Sequence, residues 1–244
     1  MKIPFSQTST SSTPACKPFS YIYYFFHKLQ KILIFNKDCK IPVICVGNVT
    51  LGGAGKTPTV IELRKILKND FKKITVLTRG YKGEKKGPLI VNKNSTFNEV
   101  GEESILHSRF GLTCVSKNKF KGALMCKNIG SKLIIMDDGL QSINIKKDFN
   151  ILVIDGTFKF GNNNLIPAGP LREPVEECLK KCNAILIIGK KKIIKELKEI
   201  PREKIFWAEK KIKTHNIKNK RVFAFSALGN NKNFHNCLIK SGMK

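Results

Sequence analysis

The stretch from Val43 to Pro58 constrains this chain more than any other. An apolar strand, Ile41 to Val46, is followed by a glycine-rich loop, and a helix is predicted to begin just after Gly55, Lys56 and Thr57. In this order, loop N–H groups and the positive end of the helix can cradle phosphates. The lysine can reach the β- and γ-phosphate oxygens, and the threonine hydroxyl can bind Mg²⁺. The pattern therefore predicts a nucleoside triphosphate site.

The loop departs from the usual phosphate-loop spacing at one position. The spacing G-x-x-x-x-G-K-[ST] places a glycine at position 50, where this chain has Thr50. We still assign nucleotide binding to the loop, because strand, loop and helix follow in the required order. A glycine-rich turn with a lysine by chance is the alternative. The residues predicted to bind ATP are Thr50, Leu51, Gly52, Gly53, Ala54, Gly55, Lys56 and Thr57.

Strands and helices alternate along the rest of the chain. Predicted strands cover residues 74–78, 89–91, 112–115, 132–136, 150–154 and 184–188, and predicted helices cover 58–69, 102–110 and 120–129. Strands separated by such helices form a parallel sheet with helices on both faces, and its ligands bind at the carboxyl ends of the strands. We therefore predict an α/β fold of the P-loop NTPase type with a mostly parallel sheet.

A second nucleotide motif ends one of these strands. Four apolar residues, 133–136, precede Asp137, Asp138 and Gly139. A carboxylate in this position binds Mg²⁺ directly or through water. An ordinary strand followed by an aspartate-containing turn is the alternative. Because the chain also carries the glycine-rich loop, we predict that Thr57 and Asp137 hold Mg²⁺.

The chain is strongly basic, with 45 Lys and Arg against 18 Asp and Glu and a formal net charge of +27. This balance favours anionic partners, namely nucleic acid, phosphorylated small molecules or an anionic membrane surface. A surface that is merely rich in solvated lysine has the same charge. No aromatic-interleaved basic motif or helix-turn-helix pattern is present, so we predict no nucleic acid partner. The eight cysteines lack a zinc-site spacing and are predicted to be buried free thiols.

Residues 19–35 predict an amphipathic helix. The side opposite its apolar face carries His27, Lys28 and Lys31, which interrupt the apolar run too early for a transmembrane span. An aromatic, lysine-bearing helix of this kind is typical of one that lies on a membrane surface. Packing of the same apolar face against the domain is the alternative. The apolar face consists of Ile22, Phe25, Phe26, Leu29, Ile32 and Leu33.

Five motifs follow one another along the chain. They are the phosphate loop at 47–58, Thr-Arg-Gly-Tyr-x-Gly at 78–83, Asp-Asp-Gly-Leu-Gln at 137–141, Phe-Gly-Asn at 160–162 and Pro-Ala-Gly-Pro-Leu-Arg-Glu-Pro at 167–174. In this order and spacing they resemble the tetraacyldisaccharide 4′-kinases, the lipid A 4′-kinases. The resemblance extends over about residues 19–230. No single motif would identify the family, but their succession does.

The resemblance implies transfer of the γ-phosphate of ATP to the 4′-hydroxyl of a tetraacyl glucosamine disaccharide 1-phosphate, the lipid A precursor. It also implies a peripheral protein on the cytoplasmic face of the bacterial inner membrane, held there by residues 19–35. Two of the implied phosphate contacts, Arg79 and Arg172, could instead pair with a carboxylate. The implied catalytic residues are Glu102, Lys56 and Asp137, the Mg²⁺ ligands Thr57, Asp137, Asp138 and Glu173, and the phosphate contacts Arg79, Lys119 and Arg172.

Two positions depart from the family pattern. The family has Gly-Asp-Glu-Pro where this chain has Gly101-Glu102-Glu103-Ser104. Glu102 thus moves the supposed catalytic carboxylate by one methylene, about 1.5 Å, and a 1 Å misplacement can cost on the order of 100-fold in rate. Glu102 could instead only place charge in the first turn of a helix. Lys119 stands where the family tends to have arginine, so a bidentate contact becomes a point charge.

We divide the chain into three regions: a tail with the membrane-associating helix (1–36), a P-loop kinase domain (37–220) and the start of a C-terminal subdomain (221–244). The family continues beyond this length through a histidine-containing segment. We therefore expect the C-terminal subdomain to be incomplete and to expose apolar surface at residues 222–228. A nucleotide-binding remnant without catalysis is the alternative to a working lipid kinase.

Overall fold

The computed structural model describes residues 16–189, 194–210, 223–225, 231–240 and 242. The helices are α1 (Lys17–Leu33), α2 (Lys56–Leu67), α3 (Phe97–Val100), α4 (Glu102–Ser108), α5 (Lys119–Asn128), α6 (Val175–Lys180) and α7 (Asn231–Lys240). The strands are β1 (Val43–Gly47), β2 (Ile74–Thr78), β3 (Leu89–Ile90), β4 (Thr113–Val115), β5 (Leu133–Asp137), β6 (Phe149–Asp155), β7 (Ala184–Ile188) and β8 (Ile205–Ala208).

These strands form one sheet in the order β3-β4-β2-β5-β1-β6-β7-β8. All neighbours are parallel except β3, which pairs with β4 in the antiparallel direction. β1 lies between β5 and β6, so the loop after β1 and the aspartates after β5 meet at one edge of the sheet. The predicted α/β fold with a mostly parallel sheet is confirmed.

The central strands are buried on both faces, as parallel strands between two helical layers are. Successive side chains of β1 belong to different apolar clusters: Val43 and Cys45 to one, and Val46 to the other. Along β5, Ile134 and Met136 belong to the first cluster. This two-sided core fixes the strand ends from which the site is built. The buried thiols that were predicted as free include Cys39, Cys45, Cys114, Cys126, Cys178 and Cys182.

Helix α1 packs on the domain through its polar side. The Ser20 hydroxyl donates to the carbonyl oxygen of Leu165 at 2.8 Å, and Lys31 Nζ donates to Glu177 Oε2 at 3.0 Å. The Tyr24 hydroxyl donates to the other carboxylate oxygen of Glu177. The predicted apolar face points away from the domain, so the alternative in which that face packs on the domain is wrong. All six members of that face are exposed: Ile22, Phe25, Phe26, Leu29, Ile32 and Leu33.

Within the described ranges, none of the helices has the length and apolarity that a membrane crossing needs. Of the predicted C-terminal subdomain, residues 221–244, the structure describes residues 223–225, α7 and residue 242. Inside the segment expected to expose apolar surface, Phe223 is 95% exposed and Phe225 is 84% exposed. Val222 and Leu228, which bound that segment, lie outside the described residues.

Candidate functional site

The glycine-rich loop joins β1 to the first turn of α2. Gly55 caps this helix with a φ of 93°, a backbone conformation that favours glycine. A Cβ at Gly55 would also lie 2.6 Å from Ile188 Cδ1 and 3.8 Å from the ammonium nitrogen of Lys210. The loop therefore needs a glycine here, and it places the N-terminus of α2 and Lys56 where anions bind. Lys210, which the sequence did not indicate, lies beside the loop.

Asn48 holds the loop in shape. Its side-chain amide donates to the carbonyl oxygens of Thr50 at 2.7 Å and of Gly52 at 3.3 Å, and its Oδ1 accepts a hydrogen bond from Lys56 Nζ at 2.9 Å. Thr50 also pairs with Leu171 in an isolated antiparallel bridge. Thr50 does not have a positive φ, which explains why the usual glycine is not needed there.

Asp137, at the end of β5, is a buried carboxylate beside the loop. Its Oδ2 lies 2.8 Å from His107 Nε2 and accepts a hydrogen bond from the Thr57 hydroxyl at 3.3 Å. Its Oδ1 is buried and has no hydrogen-bond partner among the described residues. A buried carboxylate oxygen without a partner is costly, and a bound cation would satisfy it. The structure thus brings the predicted pair Thr57 and Asp137 together and adds His107.

Asp138 forms the second acidic position of the site. It adopts a φ of 55°, and both of its carboxylate oxygens accept hydrogen bonds from Arg172 Nη1, at 2.8 and 3.0 Å. Lys56 Nζ lies 3.6 Å from Asp138 Oδ1. Burial raises the pKa of Asp138, but Lys56 and Arg172 outweigh it and leave the pKa below its usual value. Arg172 therefore pairs with a carboxylate in this structure, beside the phosphate loop.

Glu173 is fully buried, but its partners are lysine and glutamine. Lys181 Nζ donates to both carboxylate oxygens, at 2.7 and 2.6 Å, and Gln141 Nε2 donates to Oε1 at 2.9 Å. Lys31 of α1 lies 3.8 Å from Oε2. Gln141 also donates to the carbonyl oxygen of Asn48 at 3.1 Å. In this arrangement Glu173 accepts a hydrogen bond from Gln141, which in turn contacts the loop at Asn48. Its charge is balanced by the ammonium group of Lys181.

Lys119 is buried at the start of α5, and its Nζ lies 3.5 Å from the carbonyl oxygen of Leu77. Burial lowers the pKa of Lys119 to about 8, although the nearby carboxylates of Asp137 and Asp138 raise it. Arg79 lies near enough to lower this pKa further, and its own side chain is exposed. Both predicted phosphate contacts therefore lie on the side of the site formed by β2 and α5.

Glu102 begins α4, directly after Gly101. Gly101 has a φ of 83°, and a Cβ there would lie 2.3 Å from the carbonyl oxygen of Tyr81. The turn at residues 78–83 thus packs against the backbone that precedes Glu102, and the amide of Lys85 donates to Glu99 O at 2.9 Å. This close backbone approach explains the glycines of that motif and fixes where α4 starts.

An open groove of about 510 Å³ connects α4 with the phosphate loop. Glu102 and Glu103 line it together with Thr57, and Leu106 contributes to its apolar wall. Loss of hydration raises the pKa of Glu103, and the negative charges of Asp137 and Asp138 raise it further. Glu102 therefore lines the same groove as Thr57 of the phosphate loop.

The family model of tetraacyldisaccharide-1-P 4′-kinase, LpxK, matches residues 13–244. The chain belongs to this kinase family. Its similar relatives include the tetraacyldisaccharide 4′-kinase of Parvibaculum lavamentivorans, 40% identical over 71% of this chain and 51% of the relative. That of Paramagnetospirillum magneticum is 38% identical over 84% of this chain and 64% of the relative. The chain thus spans between about half and two thirds of the length of these relatives.

A solved structure supports the fold and the family. The crystal structure of LpxK from Aquifex aeolicus in complex with ATP is 28% identical to this chain, with a TM-score of 0.75. The match covers 93% of this chain and 78% of that one. The sequence motifs, the family model and the solved structure therefore all indicate the same family, and the solved structure has the same α/β architecture.

The predicted site residues separate into two groups. Those that lie together at the ends of β1 and β5 are Lys56, Thr57, Asp137, Asp138 and Arg172. Glu102, Lys119 and Arg79 surround this group, while Glu173 is bound by Lys181. Among the residues that the sequence reasoning missed, Asn48 and Gln141 lie inside two of the quoted motifs, so the signal was present. His107 lies outside all five motifs.

Proposed function

We propose that this chain transfers the γ-phosphate of ATP to the 4′-hydroxyl of a tetraacyldisaccharide 1-phosphate, as its family name implies. The observation that carries the proposal is the convergence of Lys56, Thr57, Asp137, Asp138 and Arg172 at one edge of the sheet. Phosphoryl transfer depends mainly on positioning and charge neutralisation, and this cluster provides both. The identity of the acceptor is proposed from the membership of this chain in the kinase family.

The nucleotide phosphates would lie over the residue 50–57 backbone, at the N-terminus of α2. Lys56 would exchange its contact with Asn48 Oδ1 for the β- and γ-phosphate oxygens. Arg172, now paired with Asp138, would be within reach of the transferred group. The residues thus supply two cations next to the position where negative charge develops in the transition state.

The donor set also fits Mg²⁺, the cofactor of such kinases. Mg²⁺ prefers oxygen ligands and commonly uses one or two carboxylates together with substrate phosphates. Thr57 Oγ1 and the partner-free Oδ1 of Asp137 would hold it, with Asp138 beside them. No cluster of three or more His, Cys, Asp and Glu side chains in the described part of the chain could enclose a metal by itself. Bound there, Mg²⁺ would neutralise charge on the phosphates.

Glu102 is the proposed general base for the acceptor hydroxyl. It is exposed and lines the same groove as Thr57, so an acceptor lying in the groove could reach both. Glu103 lines the groove as well, and its raised pKa makes it a stronger base than an ordinary carboxylate. We keep the base assignment on Glu102 because it occupies the family's aspartate position, and the neighbouring Glu103 gives a direct comparison.

We further propose that α1 binds the membrane surface, on the cytoplasmic face of the bacterial inner membrane, where the lipid acceptor resides. Ile32 is 76% exposed, Leu33 66% and Phe25 63%, all on one side of the helix. An exposed apolar stripe of this size usually marks an interaction surface. Because the polar side of the helix already holds it on the domain, its apolar side is free to enter a lipid interface.

The deciding experiment measures transfer of labelled γ-phosphate from ATP to the tetraacyldisaccharide 1-phosphate in detergent micelles, with Lys56→Ala as control. We expect transfer by the wild-type chain and its loss in Lys56→Ala. Absence of transfer in well-folded protein that still binds ATP would contradict the kinase proposal and favour the nucleotide-binding remnant. Replacing Glu102 and Glu103 by Gln, one at a time, identifies the base, since only the correct variant loses kcat by about 100-fold or more.

A further inference from the structure

One side chain of α1 is bonded directly to the backbone of a site residue. The Tyr23 hydroxyl donates to the carbonyl oxygen of Arg172 at 2.8 Å. Burial raises the pKa of Tyr23, so the hydroxyl remains a donor at every ordinary pH. Ser20, one turn earlier, accepts a hydrogen bond from the amide of Ala168 at 3.3 Å. The segment that leads to Arg172 is therefore held by α1 at two points.

On its other side, the same segment is bonded to the phosphate loop. The amide of Arg172 donates to the carbonyl oxygen of Val49 at 2.8 Å, and the amide of Leu51 donates to that of Pro170 at 2.7 Å. The guanidinium of Arg172 meanwhile contacts Asp138. The peptide of Arg172 thus lies between α1 and the phosphate loop, with a hydrogen bond in each direction.

We infer that Tyr23 is a positioning residue for Arg172, so that α1 is a structural part of the catalytic site in addition to its exposed apolar surface. This inference rests on the proposed function, in which Arg172 contacts the transferred phosphate. Removal of the Tyr23 hydroxyl leaves the carbonyl of Arg172 without its donor and frees the backbone to shift. A small shift at this point moves the guanidinium, and catalysis is sensitive to such misplacement.

The neighbouring residue supplies a matched control. Tyr24 lies on the same helix and donates to Glu177, which makes no hydrogen bond to Arg172 in the described structure. Tyr23→Phe and Tyr24→Phe each remove a single hydroxyl and each weaken the docking of α1 by one hydrogen bond. The bond lost in Tyr23→Phe ends on the backbone of Arg172, whereas the bond lost in Tyr24→Phe ends on the carboxylate of Glu177. A general effect of helix docking would therefore appear equally in both variants.

The first measurement is kcat and KM for ATP, with the full chain in detergent micelles. For Tyr23→Phe we expect kcat to fall about fivefold to tenfold, the effect of one lost hydrogen bond, while KM for ATP changes less than twofold. Tyr24→Phe should stay within twofold of wild type in both constants. Equal losses in the two variants, an unchanged kcat in Tyr23→Phe or a change confined to KM would overturn the inference.

The second measurement does not depend on turnover. Amide hydrogen exchange should become faster in peptides that contain the amides of Leu51 and Arg172 in Tyr23→Phe, and stay unchanged there in Tyr24→Phe. Unchanged exchange in Tyr23→Phe would overturn the positioning role. If the wild-type chain transfers no phosphate, the proposed function fails, and the exchange result still decides whether Tyr23 positions Arg172. Circular dichroism melts establish that both variants are folded.

Discussion

His107 Nε2 lies 2.8 Å from Asp137 Oδ2, and both side chains are only 1% exposed. Because Thr57 approaches the same oxygen, the two contacts leave Oδ1 of Asp137 without a hydrogen-bond partner among the described residues. His107 therefore fixes the orientation of the carboxylate that we propose as an Mg²⁺ ligand. Residues that orient a ligand in this way typically change metal affinity by about 10- to 100-fold when they are replaced.

We expect His107→Ala to raise the Mg²⁺ concentration required for half-maximal transfer by about tenfold, because Asp137 loses the partner that orients it. The measurement is transfer activity titrated with Mg²⁺ at saturating ATP. His107→Gln, which retains a side-chain N–H donor, should recover most of the affinity. His235→Ala removes an exposed histidine on α7 and serves as the control. An unchanged Mg²⁺ requirement in folded His107→Ala would contradict this role.

The buried Lys119 should give the reaction an alkaline limit. Its pKa of about 8 means that the ammonium loses its charge as the pH rises through 8, whereas an arginine would stay protonated. We expect wild-type kcat to decline above pH 8 and Lys119→Arg to lack this decline up to pH 9.5. The check is a pH profile of kcat for both proteins. A wild-type profile that is flat to pH 9.5 would exclude a role for this charge.

The same residue has an effect on stability with the opposite sign. The pKa of Lys119 in the folded chain, about 8, lies below its ordinary value of 10.5. Between these values the unfolded chain holds the proton and the folded chain does not, so the contribution of Lys119 to stability rises with pH. The Tm of wild type minus that of Lys119→Met should therefore increase from pH 8 to pH 10. A constant difference would contradict the lowered pKa.

Gly101→Ala should cost both stability and activity. Its φ of 83° disfavours a side chain, and the new Cβ would lie 2.3 Å from the carbonyl oxygen of Tyr81. We expect about 2–4 kcal/mol of lost stability in urea unfolding, and a lower kcat because Glu102 shifts. Gly130→Ala shares the positive φ but has its nearest atom at 3.9 Å, so it should lose only about 1 kcal/mol. Equal losses would rule out the steric explanation.

Binding to vesicles should depend on the outward side of α1. We expect the double variant Phe25→Ser and Ile32→Ser to reduce partitioning onto phosphatidylethanolamine–phosphatidylglycerol vesicles by at least tenfold, since both side chains would be buried in lipid. Ile66→Ser on α2, where Ile66 is 68% exposed, is the control for a general loss of apolar surface. Sedimentation with vesicles measures the partitioning. Equal binding by the double variant and wild type would exclude α1 as the contact.

These substitutions are sharper than deletion of residues 1–36. Deletion would also remove Ser20 and Tyr23, whose hydroxyls donate to the carbonyl oxygens of Leu165 and Arg172. It would therefore disturb the site for reasons unrelated to lipid binding. The exposed side chains Phe25 and Ile32 have no such role in the described structure. The structure therefore separates the two functions of the helix that a truncation would combine.

Much of the fold was predictable because the buried strands are long apolar runs separated by helical segments. β8, at the sheet edge, was not predicted, since its four residues Ile205–Ala208 are mostly half-buried and carry little pattern. The short helix α3 was also missed. Its Thr96 and Glu99 form a capping box, a signal that the sequence did contain.

The site was predictable to the extent that its residues follow strand ends. The loop that carries Lys56 follows β1, and Asp137 ends the neighbouring parallel strand β5, so the two motifs meet at one edge of the sheet. The contacts of His107 and Tyr23 could not be read in this way, because their partners lie 30 and 149 residues away along the chain. They depend on how α4 packs on the sheet and how α1 packs on residues 165–177.

The hydrogen bond between Tyr23 and Arg172 also has a consequence for the order of folding. Contacts between residues this far apart close large loops and form late, after local structure is in place. During synthesis, β1 and the phosphate loop leave the ribosome well before the segment around Arg172 that pairs with them. The nascent chain therefore exposes the polar side of α1, which carries Tyr23, before the surface on which it docks exists.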